Sequence, residues 1–148
     1  MSSMTDGFET ALATLLFNNT AIANIGDAAG LPATAGAGST QLALSSATLT
    51  DADTLLTATE LAYTGYVRPT QARSAAGWTI TGDTADNAAL IQFGNMTAGG
   101  PVTAVHVGLG FIATGSVLRL HRALVSNLVI NNGVNPQFAI GALDWVFA

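Results

Sequence analysis

Hydrophobic and polar residues alternate over several short stretches in the C-terminal two thirds of the chain. The clearest stretch is residues 105–111, VHVGLGF, in which large apolar side chains alternate with His106, Gly108 and Gly110. Alternation with a period of two is typical of a strand that buries one face. We therefore predict a half-buried strand here, whose glycines allow a neighbouring segment to approach closely.

Other short strands are predicted at spacings of about ten residues, with Gly- and Asn-rich turns between them, including Thr114-Gly115 and Asn131-Asn132-Gly133. The polar segment 50–60 fits either a turn or one helical turn. This succession of strands predicts a mainly β fold, an antiparallel β-sandwich or a jelly-roll-like barrel. The predicted strands are 41–45, 63–73 with a break at Pro69, 78–81, 89–93, 117–124, 128–130, 138–140 and 143–147.

One short helix is predicted near the N-terminus. Asp6 is a suitable N-cap, Glu9 follows at capping-box spacing, and apolar residues recur at helical spacing as far as Leu16. The helix is expected to end near Asn18 or Asn19. It serves either as an arm that inserts into a neighbouring subunit or as a helix that closes one end of its own domain. The second role is favoured because an apolar helical stripe usually faces its own core.

Residues 26–39 are rich in Gly and Ala, contain Pro32 and show no periodicity, which predicts an extended loop. This loop is either a flexible linker or a segment that becomes ordered on a partner, and the second is favoured because ordinary connections have only about 4–6 residues. We predict an N-terminal arm over residues 1–39 and a β-sandwich domain over residues 40–148.

The composition points to an assembly. Of the 148 residues 49% are hydrophobic and only 9% are charged, whereas about 25% charged residues are usual. The surface must then consist largely of Thr, Ser, Asn, Gly and Ala, and such a surface suits permanent packing against other subunits. The absence of cysteine excludes disulfides and thiolate metal sites.

Charge and hydropathy exclude two classes of partner. The chain has no Lys, four Arg and nine acidic residues, with a net charge of −5, so it lacks the basic stripe that nucleic-acid binding requires. No apolar run reaches the roughly 18 residues that a membrane-spanning helix needs. The first residues carry an acid and no Lys or Arg, unlike a secretory signal. We expect no nucleic-acid and no membrane partner.

No motif for catalysis, a cofactor or a metal is found. His106 and His121 lie on neighbouring predicted strands and are expected on the same face, but a metal site needs three or four converging ligands. The chain has no Gly-x-Ser-x-Gly elbow, and the spaced aspartates, such as Asp51 and Asp53, lack the further ligands of an EF-hand loop. They are interpreted as turn residues. We predict a protein that is not an enzyme and has no catalytic, cofactor-binding or metal-binding residues.

One segment is predicted as an interface. It contains Tyr63, Tyr66, Arg68 and Arg73, and Tyr and Arg are enriched at the energetic hot spots of protein interfaces. The alternative is that both tyrosines cover the core and both arginines are solvated.

The chain resembles a family of small virion proteins of tailed bacteriophages. Three motifs in its first half carry the resemblance, AYTGYxR at 62–68, ARSAAGW at 72–78 and NxAxIxF at 87–93, and the second half adds VHxG at 105–108, ATG at 113–115 and GAL at 141–143. The N-terminal stretch fits as well, so the resemblance covers nearly the whole chain. Residues 119–122, RLHR, depart from the small polar residues expected there, which adds Arg119, His121 and Arg122 to the candidate interface.

The resemblance implies a function without catalytic residues. It implies a capsid decoration (cement) protein on the outer surface of the phage head, which bridges subunits of the major capsid protein and forms a homotrimer. The alternative is a structural or adhesion component of a tail or tail fibre. An exposed sugar-binding groove at Trp78 or Trp145 would favour the fibre, although alternation places both tryptophans in the core. Either role places the protein in the virion.

Overall fold

The structure is a computed structural model of the chain, and it describes residues 4–57, 59–112 and 115–147. The chain divides into two compact units, each built from separate stretches of sequence. The first unit comprises Met1–Gly38, Gln71–Leu90 and Phe138–Ala148, and the second comprises Ser39–Thr70 and Ile91–Gln137. The predicted boundary between residues 39 and 40 is a different division, and it stays a prediction.

The predicted mainly β fold with a short N-terminal helix is confirmed. The strands form antiparallel sheets, and no sheet in the described residues closes into a barrel. The elements are α1 Asp6–Asn18, β1 Ser39–Ser45, β2 Thr70–Ala72, β3 Trp78–Thr81, β4 Thr84–Asn87, β5 Ile91–Gln92, β6 Val102–Phe111, β7 Leu120–Ile130, β8 Gln137–Phe138 and β9 Asp144–Val146. Within the described residues, no helix has the length and apolar character to cross a bilayer.

The second unit is built around β6, which pairs with β1 on one side and with β7 on the other. The prediction that β6 is half-buried is wrong for its second half, because both of its faces are buried there. A Cβ on Gly108 would lie 2.8 Å from side-chain carbons of both Leu56 and Leu118, so leucines of two loops cover the glycine face. The close approach predicted for the glycines is thus confirmed.

β7 is one long strand, whereas two separate strands were expected at 117–124 and 128–130. Its pairing with β6 shifts between His106↔Ala123 and Ala104↔Leu128, so four residues of β7 stand opposite Val105 alone. Such a bulge absorbs extra residues and lets the ladder resume beyond it. The predicted turn at Asn131-Asn132-Gly133 is confirmed. The predicted turn at Thr114 lies outside the described residues.

The segment predicted as a strand at 63–73 is a strand only in β2, Thr70–Ala72. The chain turns before it, because the Tyr66 N–H donates to Tyr63 O and Gly65 adopts a positive φ of 98°. That conformation is open to glycine and strained for other residues. Pro69 has no N–H to give to a sheet ladder. The prediction of a strand over 63–73 is therefore wrong before Thr70, because the chain turns at Gly65.

The first unit packs α1 against a three-stranded sheet of order β3-β4-β9. Phe17 of α1 meets Trp78 of β3 edge-on, with ring centroids 4.7 Å apart, and both side chains are fully buried. The N-cap is Thr5 and makes no side-chain cap hydrogen bond, so the predicted capping box at Asp6 is wrong. Asp6 lies in the first turn instead, where the helix dipole favours a negative charge. The helix ends at Asn18, as predicted.

Buried Asn87 explains why β4 differs from the strand predicted at 89–93. Its side chain donates to Ala89 O and Ala139 O, both at 2.8 Å, and accepts from the Leu143 N–H at 2.9 Å. These bonds hold the chain in a loop after Asn87, since a buried amide must satisfy its donors and acceptor. The strand therefore lies earlier, at Thr84–Asn87, and pairing resumes only in the two residues of β5.

Candidate interaction surfaces

Tyr63 and Tyr66 pack in the second unit and form hydrogen bonds with its backbone. The Tyr63 hydroxyl donates towards Phe93 O at 3.1 Å and Gly94 O at 3.0 Å, and the Tyr66 hydroxyl accepts the Leu44 N–H at 3.0 Å. Burial raises the pKa of both phenols. Tyr63 is only 8% exposed. Of the two interpretations of these tyrosines, covering the core is the one that agrees with their positions.

Arg68 is held by Glu60 in a two-pronged ion pair. Its Nε lies 2.6 Å from Glu60 Oε1 and its Nη2 lies 2.5 Å from Oε2, while Nη1 donates to Ser116 Oγ at 3.1 Å. The hydrogen bonds to Glu60 are the main reason that the pKa of Arg68 is raised. The Arg68 and Glu60 side chains are 21% and 15% exposed. Arg68 is therefore engaged within its own unit, with part of its side chain exposed.

Arg73 closes the C-terminal end of α1 in the first unit. Its guanidinium donates to Leu16 O at 2.7 Å, Leu15 O at 2.8 Å and Ala37 O at 2.9 Å. The last turn of α1 has no basic residue of its own, and a cation at that end satisfies the free carbonyls and the helix dipole. Partial burial lowers the pKa of Arg73. Sequence reasoning missed this capping role, because 57 residues separate Arg73 from Leu16.

The basic segment at 119–122 is more accessible. Arg119 is exposed, and His121 and Arg122 are half-buried at the start of β7. The His121 Nε2 lies 3.1 Å from Asp51 Oδ1, on a side chain that is fully exposed. The structure thus brings together Arg119 and His121 with a loop that contains two aspartates.

These residues line a surface groove of about 320 Å³ in the second unit, made by Thr50, Asp51, Asp53, Thr54, Val117, Leu118, Arg119 and His121. The loop is shaped by Asp53, whose Oδ2 accepts the Thr50 N–H at 2.7 Å and the Thr50 hydroxyl at 2.9 Å. The backbone bond from Thr50 is the main cause of the lowered pKa of Asp53. The predicted interface included Arg119 and His121 but missed this loop, whose aspartates were interpreted only as turn residues.

His106 and His121 lie close together, with ring centroids 6.3 Å apart on β6 and β7, as the sequence predicted. The His106 Nδ1 is buried and has no hydrogen-bond partner in the structure. Desolvation, followed by the nearby His121, lowers the pKa of His106. Within the described residues, no three His, Asp or Glu side chains are placed to hold a metal ion. The lowered pKa of His106 favours the neutral form of that imidazole.

Both tryptophans lie in the core of the first unit, as predicted. Trp78 is fully buried and Trp145 is 4% exposed. The Ala85↔Trp145 and Trp78↔Asn87 register positions place them on the two outer strands of the three-stranded sheet. Neither indole presents a surface on which a sugar ring could stack.

The chain is thus a small antiparallel β-protein. Its groove is lined by polar side chains that can form hydrogen bonds. A family model with the description podophage GP4 fiber I protein gp80 matches residues 3–146. The chain belongs to this family of phage fibre proteins. A search of the curated proteins gave no match.

The family confirms the broader part of the sequence prediction, a structural protein of a phage virion. Its description fits the alternative prediction, a fibre component, better than capsid decoration. The match is also consistent with a location in the virion.

Proposed function

We propose that this protein is a structural component of a phage fibre and that it takes part in adhesion by binding rather than by catalysis. The observation that carries the proposal is the family match over residues 3–146. The low charge supports a chain that packs against other virion subunits, because few charges have to be desolvated on assembly. Its partners in this proposal are fibre or tail subunits and further copies of itself, with the homotrimer as the expected assembly.

The arrangement of cations also supports a role in assembly through neutral surfaces. Two of the four arginines, Arg68 and Arg73, are used inside their own units. The long strand β7 exposes Val125 almost completely, at 97%, and Val129 by half, at 53%. Residues 123–130 of β7 carry no charge, and exposed apolar side chains on such a stretch are more typical of subunit contacts than of nucleic-acid contacts.

The copy number of this chain in purified virions tests the proposal. Quantitative mass spectrometry would measure it against the major capsid protein, and gold-labelled antibodies would locate it by electron microscopy. A fibre component is expected at a few dozen copies or fewer, with label at the tail, because fibres attach at a single vertex or to the tail. Hundreds of copies with label over the head would overturn the fibre proposal in favour of capsid decoration. Absence from purified particles would contradict both the fibre role and the decoration role.

A further inference from the structure

We propose that the outer edge of β7 pairs antiparallel with β7 of a second copy of this chain. The inference rests on the proposal that the protein assembles with further copies of itself, and it names the strand and the register of that contact. β7 is a terminal strand of the sheet β2-β1-β6-β7, so in the described part of the chain no strand pairs with its outer edge. The unpaired backbone N–H and C=O groups of an edge strand are a template for another strand.

Residues 123–130 of β7 have few of the features that keep a strand edge from pairing. Proteins usually protect such edges with charged residues, with proline or with bulges. This stretch contains neither a charged residue nor a proline. It does contain a bulge, in which residues 124–127 stand opposite Val105, but the bulge leaves Val125 97% exposed. A bulge that presents an apolar side chain to water favours a contact more than it prevents one.

The side chains of this stretch match a second copy of the same stretch. Those at 123, 125, 127 and 129 are exposed, whereas Leu124 is half-buried and Ile130 is buried. Residues directly opposite each other in an antiparallel pair lie on the same face. A two-fold axis through Asn127 places Val125 opposite Val129 of the partner subunit and Leu124 opposite Ile130 of the partner subunit. This is the one centre in the stretch that sets both exposed valines against valines.

The position of the arginines favours the antiparallel arrangement. Arg119 and Arg122 both lie at the N-terminal end of β7, so an antiparallel pair keeps the arginines of the two copies at opposite ends. With Asn127 at the centre, Arg122 stands opposite Asn132 of the partner subunit. A parallel pair would instead bring the arginines of both copies together, and like charges on neighbouring strands are destabilising.

Antiparallel pairing of identical strands is an isologous contact with two-fold symmetry. Such a contact joins chains in pairs, so it is distinct from the contact that holds a homotrimer together. On its own it gives an assembly of two chains, and combined with a three-fold contact it gives six. Eight residues of strand span only about 26 Å at ~3.3 Å per residue. The contact is therefore small, and pairing is expected to depend on protein concentration.

Single cysteines test the register, because the chain contains no cysteine of its own. Asn127 is the residue that meets itself in the proposed pair, and the ~4.5–5.5 Å between opposite Cα atoms suits a disulfide. On mild oxidation, Asn127→Cys is expected to crosslink at least about tenfold faster than Thr79→Cys, because pairing raises the local thiol concentration. Thr79 is an exposed residue of β3, which makes it the matched control. Equal rates for these two variants would overturn the proposal.

Two further cysteine variants separate this register from random collision. Val125→Cys meets its own copy only at about 13 Å along the strand, beyond the ~7 Å limit for a disulfide. Val125→Cys and Val129→Cys should therefore crosslink poorly when each is alone and readily when they are mixed. Crosslinking of either variant alone as fast as Asn127→Cys would overturn the register.

Sedimentation velocity of the full-length protein from about 10 μM to about 1 mM measures the number of chains in the assembly. Two or six chains are expected at the highest concentration. Val125→Lys should abolish this pairing, whereas Val146→Lys, at a valine of β9 that is 57% exposed, should leave it intact. A monomer throughout, or an assembly of three chains alone, would overturn the proposal.

Circular dichroism and urea unfolding under reducing conditions separate loss of pairing from loss of fold in each variant. If Val125→Lys does not fold, the crosslinking of Asn127→Cys decides the proposal. The virion copy number tests the fibre role independently, so a fibre protein that does not pair through β7 would refute this inference alone.

Discussion

Arg68 and Arg119 are both cations of the second unit, yet the fold uses them in opposite ways. Arg68 is 21% exposed and is bonded to both oxygens of Glu60 and to Ser116. Arg119 is exposed and lines a groove. The same residue type was predicted as an interface residue in both places. A half-buried arginine that is bonded to Glu60 and Ser116 stabilises its own unit, whereas an exposed arginine remains available to a partner.

The largest expected effect is that of Arg68→Ala. This change leaves the Glu60 carboxylate half-enclosed without its partner, and breaking a buried pair is costly. Because both side chains keep some exposure, we expect a loss of about 3 kcal/mol in the free energy of unfolding, at the low end of that range. Urea unfolding followed by tryptophan fluorescence measures it. An unchanged urea midpoint would show that Arg68 does not stabilise its unit and so does not differ from Arg119 in this respect.

Arg73→Ala tests whether a second arginine is also structural. The variant loses three hydrogen bonds to backbone carbonyls, and the end of α1 loses its only described basic cap. We expect a loss of about 2 kcal/mol. Arg73→Lys keeps the charge without the planar fork and should recover only part of this loss. Full recovery by lysine would show that charge alone matters.

Tyr66→Phe removes one hydroxyl and leaves the ring in place. The Leu44 N–H then loses the acceptor that lies at 3.0 Å, and an unsatisfied buried donor costs about 1 kcal/mol or more. Urea unfolding should show this loss. A variant as stable as the parent would mean that Tyr66 acts through its ring alone, and the residue would again be a candidate for a partner contact.

His106 is expected to make a smaller, pH-dependent contribution to the free energy of unfolding. Its pKa in the folded protein is below the ordinary value, so the folded state binds its proton less readily than the unfolded state. Its contribution to stability is therefore complete above the unfolded pKa of about 6.5 and falls as pH drops through and below that value. Relative to His106→Gln, the parent should lose stability from pH 7.5 to pH 5. Parallel pH curves for the two proteins would contradict this.

The smallest effect on stability is expected for Arg119→Ala. An exposed residue of this kind changes the free energy of unfolding by no more than about 0.5 kcal/mol. A loss of stability similar to that of Arg68→Ala would show that Arg119 belongs with the structural arginines, and the comparison between them would fail.

The sequence by itself predicted the features that depend on local pattern. Period-two alternation found Trp78–Thr81 and most of β6, helical spacing found the end of α1, and alternation placed both tryptophans in the core. The phage virion class came from motifs spread along the whole chain. These features are local because the side chains of one strand or helix determine which face is buried.

Tertiary structure alone decided which polar residues remain available. Arg73 meets Leu16, and Asp51 meets His121 across 70 positions of sequence, and no local pattern records such a pairing. The same holds for the glycine face of β6, which is buried because leucines from distant loops cover it. The physical reason is that hydrogen bonds and burial depend on distance in space, so Arg68 is held inside its own unit whereas Arg119 is exposed at a groove.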